Sequence, residues 1–127
     1  MSFPTSAKTM SFVITRDRER ARKFYSETLG FKQTSEDHFA VVFDLNGVML
    51  RISTVKDHQP SAHTVLGWEV SDIEAEVKAL LARGVTFQTY EGFGQDALGI
   101  WTAPDGVAKV AWFLDADGNN LSLAQFS

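Results

Sequence analysis

The chain of 127 residues has no cysteine, which excludes disulfides and thiolate metal ligands and is the usage expected of a cytoplasmic protein. It has three histidines, so imidazole donors for a transition metal are scarce. It has no run of about eighteen apolar residues and no basic segment leading into an apolar one, so neither a membrane span nor a signal peptide is expected. Nor is positive charge in excess. Twelve Lys and Arg against sixteen Asp and Glu give a net charge of −4, which argues against a nucleic-acid partner, because phosphates demand a basic face. A chain of this length can bury a real core, so one compact domain is expected.

What the chain does have is one pattern, used twice. Thr9 to Thr15 reads as a strand, Asp17 to Glu27 as a charged helix, and Leu29-Gly30-Phe31 as its end. Thr64 to Val70, Ser71 to Ala82 and Arg83-Gly84-Val85 repeat that order. Each repeat is about half the chain, too long and too few for a solenoid, so a duplicated module is indicated. In the first copy, strands follow at Lys32 to Ser35, Phe39 to Leu45 and Val48 to Thr54, with Asn46-Gly47 as a hairpin turn between the last two. In the second copy, strand signals fall at Thr86 to Tyr90, Ile100 to Ala103, Val107 to Leu114 and Leu121 to Phe126. A Gly-rich stretch lies at Glu91 to Gly99 and a Pro104-Asp105-Gly106 turn follows Ala103. The order is βαβββ, twice: module one at about 8–54, a linker at about 55–63, module two at about 64–127.

With Lys23-Phe24-Tyr25 leading into Leu29-Gly30-Phe31, and Asp115-Ala116-Asp117-Gly118-Asn119 before the last strand, the chain resembles the glyoxalase/bleomycin-resistance/dioxygenase family, the vicinal oxygen chelate superfamily. The resemblance runs from about Thr9 to Phe126. It implies an α+β fold in which two tandem βαβββ modules form a cup-shaped curled mixed sheet around a small molecule, commonly in a homodimer. It also identifies four positions at which metal-using relatives carry ligands, and here these are Met10, Arg51, Val65 and Ser122. A thioether, a guanidinium, an isopropyl group and a hydroxyl do not make a site for a divalent ion, and a fixed positive charge repels one. No metal and no other cofactor is expected.

Strand alternation extends the pattern. If the four positions face the cup, so do Phe12, Ile14, Met49, Ser53, Gly67, Glu69, Asn120 and Ala124. Val13, Leu50, Ile52, Leu66, Trp68, Val70, Leu121 and Leu123 then pack against the helices. Trp112 adds a flat wall, and Phe93 and Trp101 form a rim. The candidate ligand-binding residues are therefore Met10, Phe12, Arg51, Glu69, Trp101, Trp112 and Ser122, with no catalytic residue assigned. Each also has a structural reading: Arg51 as the ion-pair partner of Glu69, and Met10, Phe12 and Trp112 as core filling. His38, His58 and His63 lie near turns or in the linker and read as solvent-facing. The charged run from Arg16 to Lys23 reads as a solvated helix face, and Asp115 to Asn119 as a hairpin turn.

Three functions remain open. One is a metal-independent protein that binds or sequesters a small, partly aromatic molecule, with Arg51 favouring a carboxylate-bearing ligand. Another is a glyoxalase-, lyase- or dioxygenase-like enzyme of the same superfamily, metal-dependent or using Glu69 as a base. A partner-binding module whose cup is filled by its own side chains is a third possibility.

Overall fold

The structure is a computed structural model and describes residues 2–127. Two compact units divide the chain, one ending at His58 and the other running from Gln59 to Ser127. In the first unit β1 (Met10–Thr15) lies parallel to β4 (Val48–Thr54). β3 (Ala40–Leu45) pairs antiparallel with β4 on one side and with β2 (Lys32–Glu36) on the other, giving the order β1-β4-β3-β2. Asn46 and Gly47 take φ of 53° and 99°, the pair of positive values that a two-residue hairpin turn matched to strand twist requires.

The helix α1 (Arg18–Lys23) begins where an extended Asp17 turns its carboxylate onto the Arg20 N–H at 3.2 Å, satisfying one of the donors that a helix start leaves open. The sequence predicts one helix from Asp17 to Glu27. Instead the α geometry ends at Lys23 and widens into a π-helical turn, Phe24–Thr28, with the Leu29 N–H bonded to the Phe24 carbonyl at 3.0 Å. The wider turn accompanies full burial of Tyr25, whose ring stands edge-on to Phe24 at 5.3 Å and tilted to Phe43 at 6.1 Å. Ring packing here takes precedence over the regular ladder.

The second unit has the same topology. β5 (Leu66–Glu69) lies parallel to β8 (Asn120–Phe126), and β7 (Ala108–Leu114) joins β8 to the short β6 (Trp101–Thr102), giving β5-β8-β7-β6. The helix α2 (Ile73–Ala82) is capped as α1 is: Asp72 accepts from the Ala75 N–H at 3.1 Å, and the Gln125 amide oxygen takes the Ile73 N–H at 2.8 Å. Between β7 and β8, both N–H groups of Asp117 and Asn119 donate to Asp115 Oδ1 at 2.9 Å, and the Asn119 amide donates to Oδ2 at 2.8 Å. The Asp115 carboxylate thus holds a hairpin turn closed.

One strand departs from expectation. Thr86 to Tyr90 forms no continuous strand; it touches β7 through one bridge, Phe87 to Phe113, and the Gln88 N–H bond to the Trp112 carbonyl at 2.7 Å. The chain then leaves the edge and returns only at β6, opposite Val110 and Lys109. The edge strand is split by an insert, which the Gln95 side chain closes. Its oxygen accepts from the Tyr90 N–H at 2.7 Å, and its nitrogen donates to the Gln88 and Gly99 carbonyls at 2.9 and 2.7 Å. A side chain there supplies the hydrogen bonds that a neighbouring strand would have made.

Burial follows the predicted alternation at Val13, Leu50, Ile52, Leu121 and Leu123, which are buried with Ala21, Tyr25, Phe43, Ile73, Val77 and Phe113, while Leu66, Trp68 and Val70 are half-buried and Asn120, expected on the opposite face, is buried. Trp68 stacks on Phe113 at 6.4 Å. The opposite face of each sheet is the open one.

Candidate functional site

On the open face of the first sheet, register places Met10 beside Met49, Phe12 beside Arg51, and Ile14 beside Ser53. Phe12 is 58% exposed and Met10 and Met49 are each 43% exposed, an unusual outlay of apolar surface on one sheet face. A hollow of about 550 Å³ runs along Met10, Met49, Asp44 and Lys32. Arg51 does not have the partner expected of it. Its guanidinium donates to Asp37 Oδ2 at 2.9 Å, in the turn before β3, within its own unit. Alternation points to Glu69 because it reports which face a residue is on and says nothing of turn residues that reach back over that face. Asp37 Oδ1 also accepts from the Phe39 and Ala40 N–H groups at 2.8 and 2.9 Å. The Arg51 hydrogen bond first, and these two N–H groups next, hold the Asp37 carboxyl below its ordinary range.

The same turn is tied to α1. Arg18 donates to Glu36 and to the Asp37 and His38 carbonyls, and Arg22 makes a two-pronged pair with Glu36 at 2.9 and 3.0 Å. Part of the charged run expected to be solvated is therefore engaged in fixing the Arg51 partner.

On the open face of the second sheet, Ser122 lies between Gly67 and Trp112, and Ala124 between Glu69 and Val110, with Trp101 opposite Val110. The close fit at Gly67 is measurable: a β-carbon there would stand 2.8 Å from Ser122 Oγ. Trp112 is the centre of an aromatic group. Tyr90 stands edge-on to it at 5.5 Å, Phe93 edge-on at 5.8 Å and Trp101 tilted at 6.3 Å, while Tyr90 and Phe93 meet at 5.4 Å. Tyr90 and Phe93 come from the insert that Gln95 closes, so the break in the edge strand is what brings them over Trp112. Beside them opens a cavity of about 490 Å³ lined by Ala62, His63, Thr64, Tyr90, Phe93, Trp112 and Asn120.

The polar end of that cavity is a chain of hydrogen bonds. Thr64 Oγ1 donates to Asn120 Oδ1 at 2.9 Å, and Asn120 Nδ2 donates to Tyr90 Oη at 3.1 Å and to the Ala62 carbonyl at 3.4 Å. Asn120 is buried. Its face was legible from alternation; the role of Tyr90 was not. The only sequence signal for it is a tyrosine at the mouth of a Gly-rich segment three residues before Phe93.

Of the seven residues predicted to bind ligand, Met10, Phe12 and Arg51 share the open face of the first sheet, and Glu69, Trp101, Trp112 and Ser122 share that of the second. The four metal-ligand positions do not fit a divalent ion: Arg51 is committed to Asp37, and Met10, Val65 and Ser122 bring no carboxylate or imidazole. Among the described residues no group of three or more His, Cys, Asp or Glu stands together as a metal site, and no helix is long and apolar enough to cross a membrane.

These features agree with the family comparison. The family model described as Glyoxalase/Bleomycin resistance protein/Dioxygenase superfamily matches residues 8–123, and the chain belongs to that superfamily. No curated protein matches it. Among solved structures, the chain is similar to a glyoxalase/bleomycin resistance protein/dioxygenase from Nocardioides, with 18% identity, TM-score 0.72, and 98% of this chain and 86% of that one covered. It is similar to a member of the same superfamily from Sphaerobacter thermophilus DSM 20745, with 24% identity, TM-score 0.71, and coverage of 94% and 97%. It is also similar to TnmS3, an antibiotic binding protein from Streptomyces sp. CB03234, with 22% identity, TM-score 0.72, and coverage of 99% and 100%. At these identities the likeness establishes the fold.

Proposed function

We propose that the protein binds or sequesters a small, partly aromatic molecule without using a metal. The observation that carries this reading is the aromatic group on the open face of the second sheet, Trp112 with Tyr90, Phe93 and Trp101. Such rings, left half-exposed beside a cavity with a polar end, have the chemistry of a small-molecule pocket. The antibiotic-binding activity of one structural neighbour supports the class of function. The donor chemistry at Met10, Arg51, Val65 and Ser122 supports metal independence. Met10, Phe12 and Arg51 on the first sheet, and Glu69, Trp101, Trp112 and Ser122 on the second, are the proposed contact residues. Two modules in one domain, a homodimer and a cytoplasmic setting belong to the same proposal.

Titration of naphthalene- and indole-based compounds against tryptophan fluorescence tests it. Saturable quenching by wild type, and its loss in Trp112→Leu with the fold retained by circular dichroism, is the expected result. No saturable ligand, or one that Trp112→Leu binds equally well, overturns the site. Sedimentation equilibrium tests the dimer, which should have about twice the 14.1 kDa chain mass.

A further inference from the structure

In the second-sheet cavity Thr64, Asn120, Tyr90 and the Ala62 carbonyl are joined by hydrogen bonds within the protein, and these leave the Tyr90 hydroxyl proton for a ligand. The Ala62 carbonyl can only accept, so the Asn120 nitrogen must be the atom beside it, and this fixes the orientation of the amide. Asn120 Oδ1 is then the acceptor for Thr64, and Asn120 Nδ2 donates to the oxygen of Tyr90. The phenol is left with its own proton, which has no acceptor among the described residues. A hydroxyl whose oxygen already accepts a hydrogen bond is a stronger donor, because the chain from Thr64 through Asn120 polarises it.

Charge sets a second condition. Among the described residues no Lys, Arg, Asp or Glu lines the cavity, and His63, the imidazole in its lining, has Nδ1 at 3.0 Å from the Ser61 hydroxyl. A carboxylate entering there would lose water without meeting a Lys or Arg. The ring faces of Trp112 and Phe93 carry the negative side of their quadrupoles, which suits an electron-poor ring.

We infer that this pocket takes an uncharged aromatic compound bearing a carbonyl oxygen, and that the hydroxyl of Tyr90 donates to that oxygen. This rests on the small-molecule reading above and assigns the ligand class within it. Arg51 is paired with Asp37 on the first sheet and does not line this cavity, so for this cavity a neutral ligand takes the place of the carboxylate-bearing one expected from sequence.

The test uses three probes of one shape: 2-acetonaphthone, 2-ethylnaphthalene, which lacks the oxygen, and 2-naphthoate, which adds a charge. Affinities are measured by tryptophan fluorescence on wild type and Tyr90→Phe. Wild type should bind the ketone on the order of tenfold more tightly than the hydrocarbon, the worth of one hydrogen bond, and more tightly than the carboxylate. Tyr90→Phe should bind ketone and hydrocarbon alike. Equal affinity of wild type for ketone and hydrocarbon overturns the donor while leaving the aromatic pocket standing, and this comparison needs no variant. A preference that survives in Tyr90→Phe overturns the assignment to Tyr90, and tightest binding of naphthoate overturns the uncharged class. Binding of none of the three overturns the small-molecule reading itself.

Discussion

Arg51 and Asp37 lie 2.9 Å apart, joined from the middle of β4 to the turn that precedes β3. The guanidinium stands at the position where metal-using relatives are expected to hold a carboxylate, and it is neutralised by an acid that no strand pattern points to. The first sheet's open face therefore presents thioethers and a phenyl ring around a balanced ion pair.

The first prediction concerns this pair. The folded Asp37 carboxyl titrates below its ordinary value of 3.8. A depressed carboxyl stabilises the fold above the unfolded value, and that contribution is lost as pH falls through the lower, folded one. Arg51→Met should move the Asp37 titration up towards 3.8 without reaching it, since the Phe39 and Ala40 N–H bonds remain. At neutral pH the change in stability should be small because the pair is part-exposed. A carboxyl-carbon NMR titration reads the shift, and an unmoved midpoint would contradict the assignment.

Gln95 gives the second. Replacing it with Ala removes three hydrogen bonds, those to the Tyr90 N–H and to the Gln88 and Gly99 carbonyls. Urea unfolding should show a loss of about 1–3 kcal/mol. Hydrogen exchange at the Tyr90 amide should accelerate while the β7 amides stay protected. Equal acceleration throughout β7 would mean that the side chain supports the whole sheet edge.

A third follows from the contact between β5 and β8. The β-carbon of Gly67→Ala would meet Ser122 Oγ at 2.8 Å and the Ser122 carbonyl oxygen at 3.2 Å. The hydroxyl can rotate away, but the backbone must shift. A destabilisation of about 1 kcal/mol is expected in equilibrium unfolding, with a displaced Ser122 resonance. A variant as stable as wild type would show that the two strands separate without cost.

The fourth is analytical. Protein purified without chelator should contain well under one equivalent per chain of Zn, Mn, Ni, Fe or Co by elemental analysis. Stoichiometric metal that survives dialysis would overturn the metal-independent reading.

Much of the fold was legible because its signals are local. Asp17 and Asp72 cap their helices with the same bond, Asn46-Gly47 makes the hairpin it suggests, and alternation along β1, β4, β5 and β8 separates buried from open faces. What escaped depends on contacts distant in sequence. The π-helical turn accompanies Tyr25 packing against Phe43, a residue on another strand. The split edge strand depends on Gln95, a polar residue that carries no strand or turn signal. Within the candidate site, Trp112 and Ser122 could be placed by parity, and Trp101 only as part of a rim. Tyr90 could not, since it reaches Trp112 from a segment that has left the sheet.

Closed by its own side chain, that segment holds its shape without pairing to the sheet edge. It departs after Gln88, is tied across at Tyr90 and Gly99 by Gln95, and rejoins the sheet at Trp101. Tyr90 and Phe93 travel with it as a cassette. Grafting a different self-tied segment between Gln88 and Trp101 would replace two of the rings around Trp112 and leave every β7 to β8 pairing intact. If the proposed pocket binds as inferred, a change of ligand would need only a replaceable piece of sequence, and the sheet beneath it would stay unchanged through the exchange.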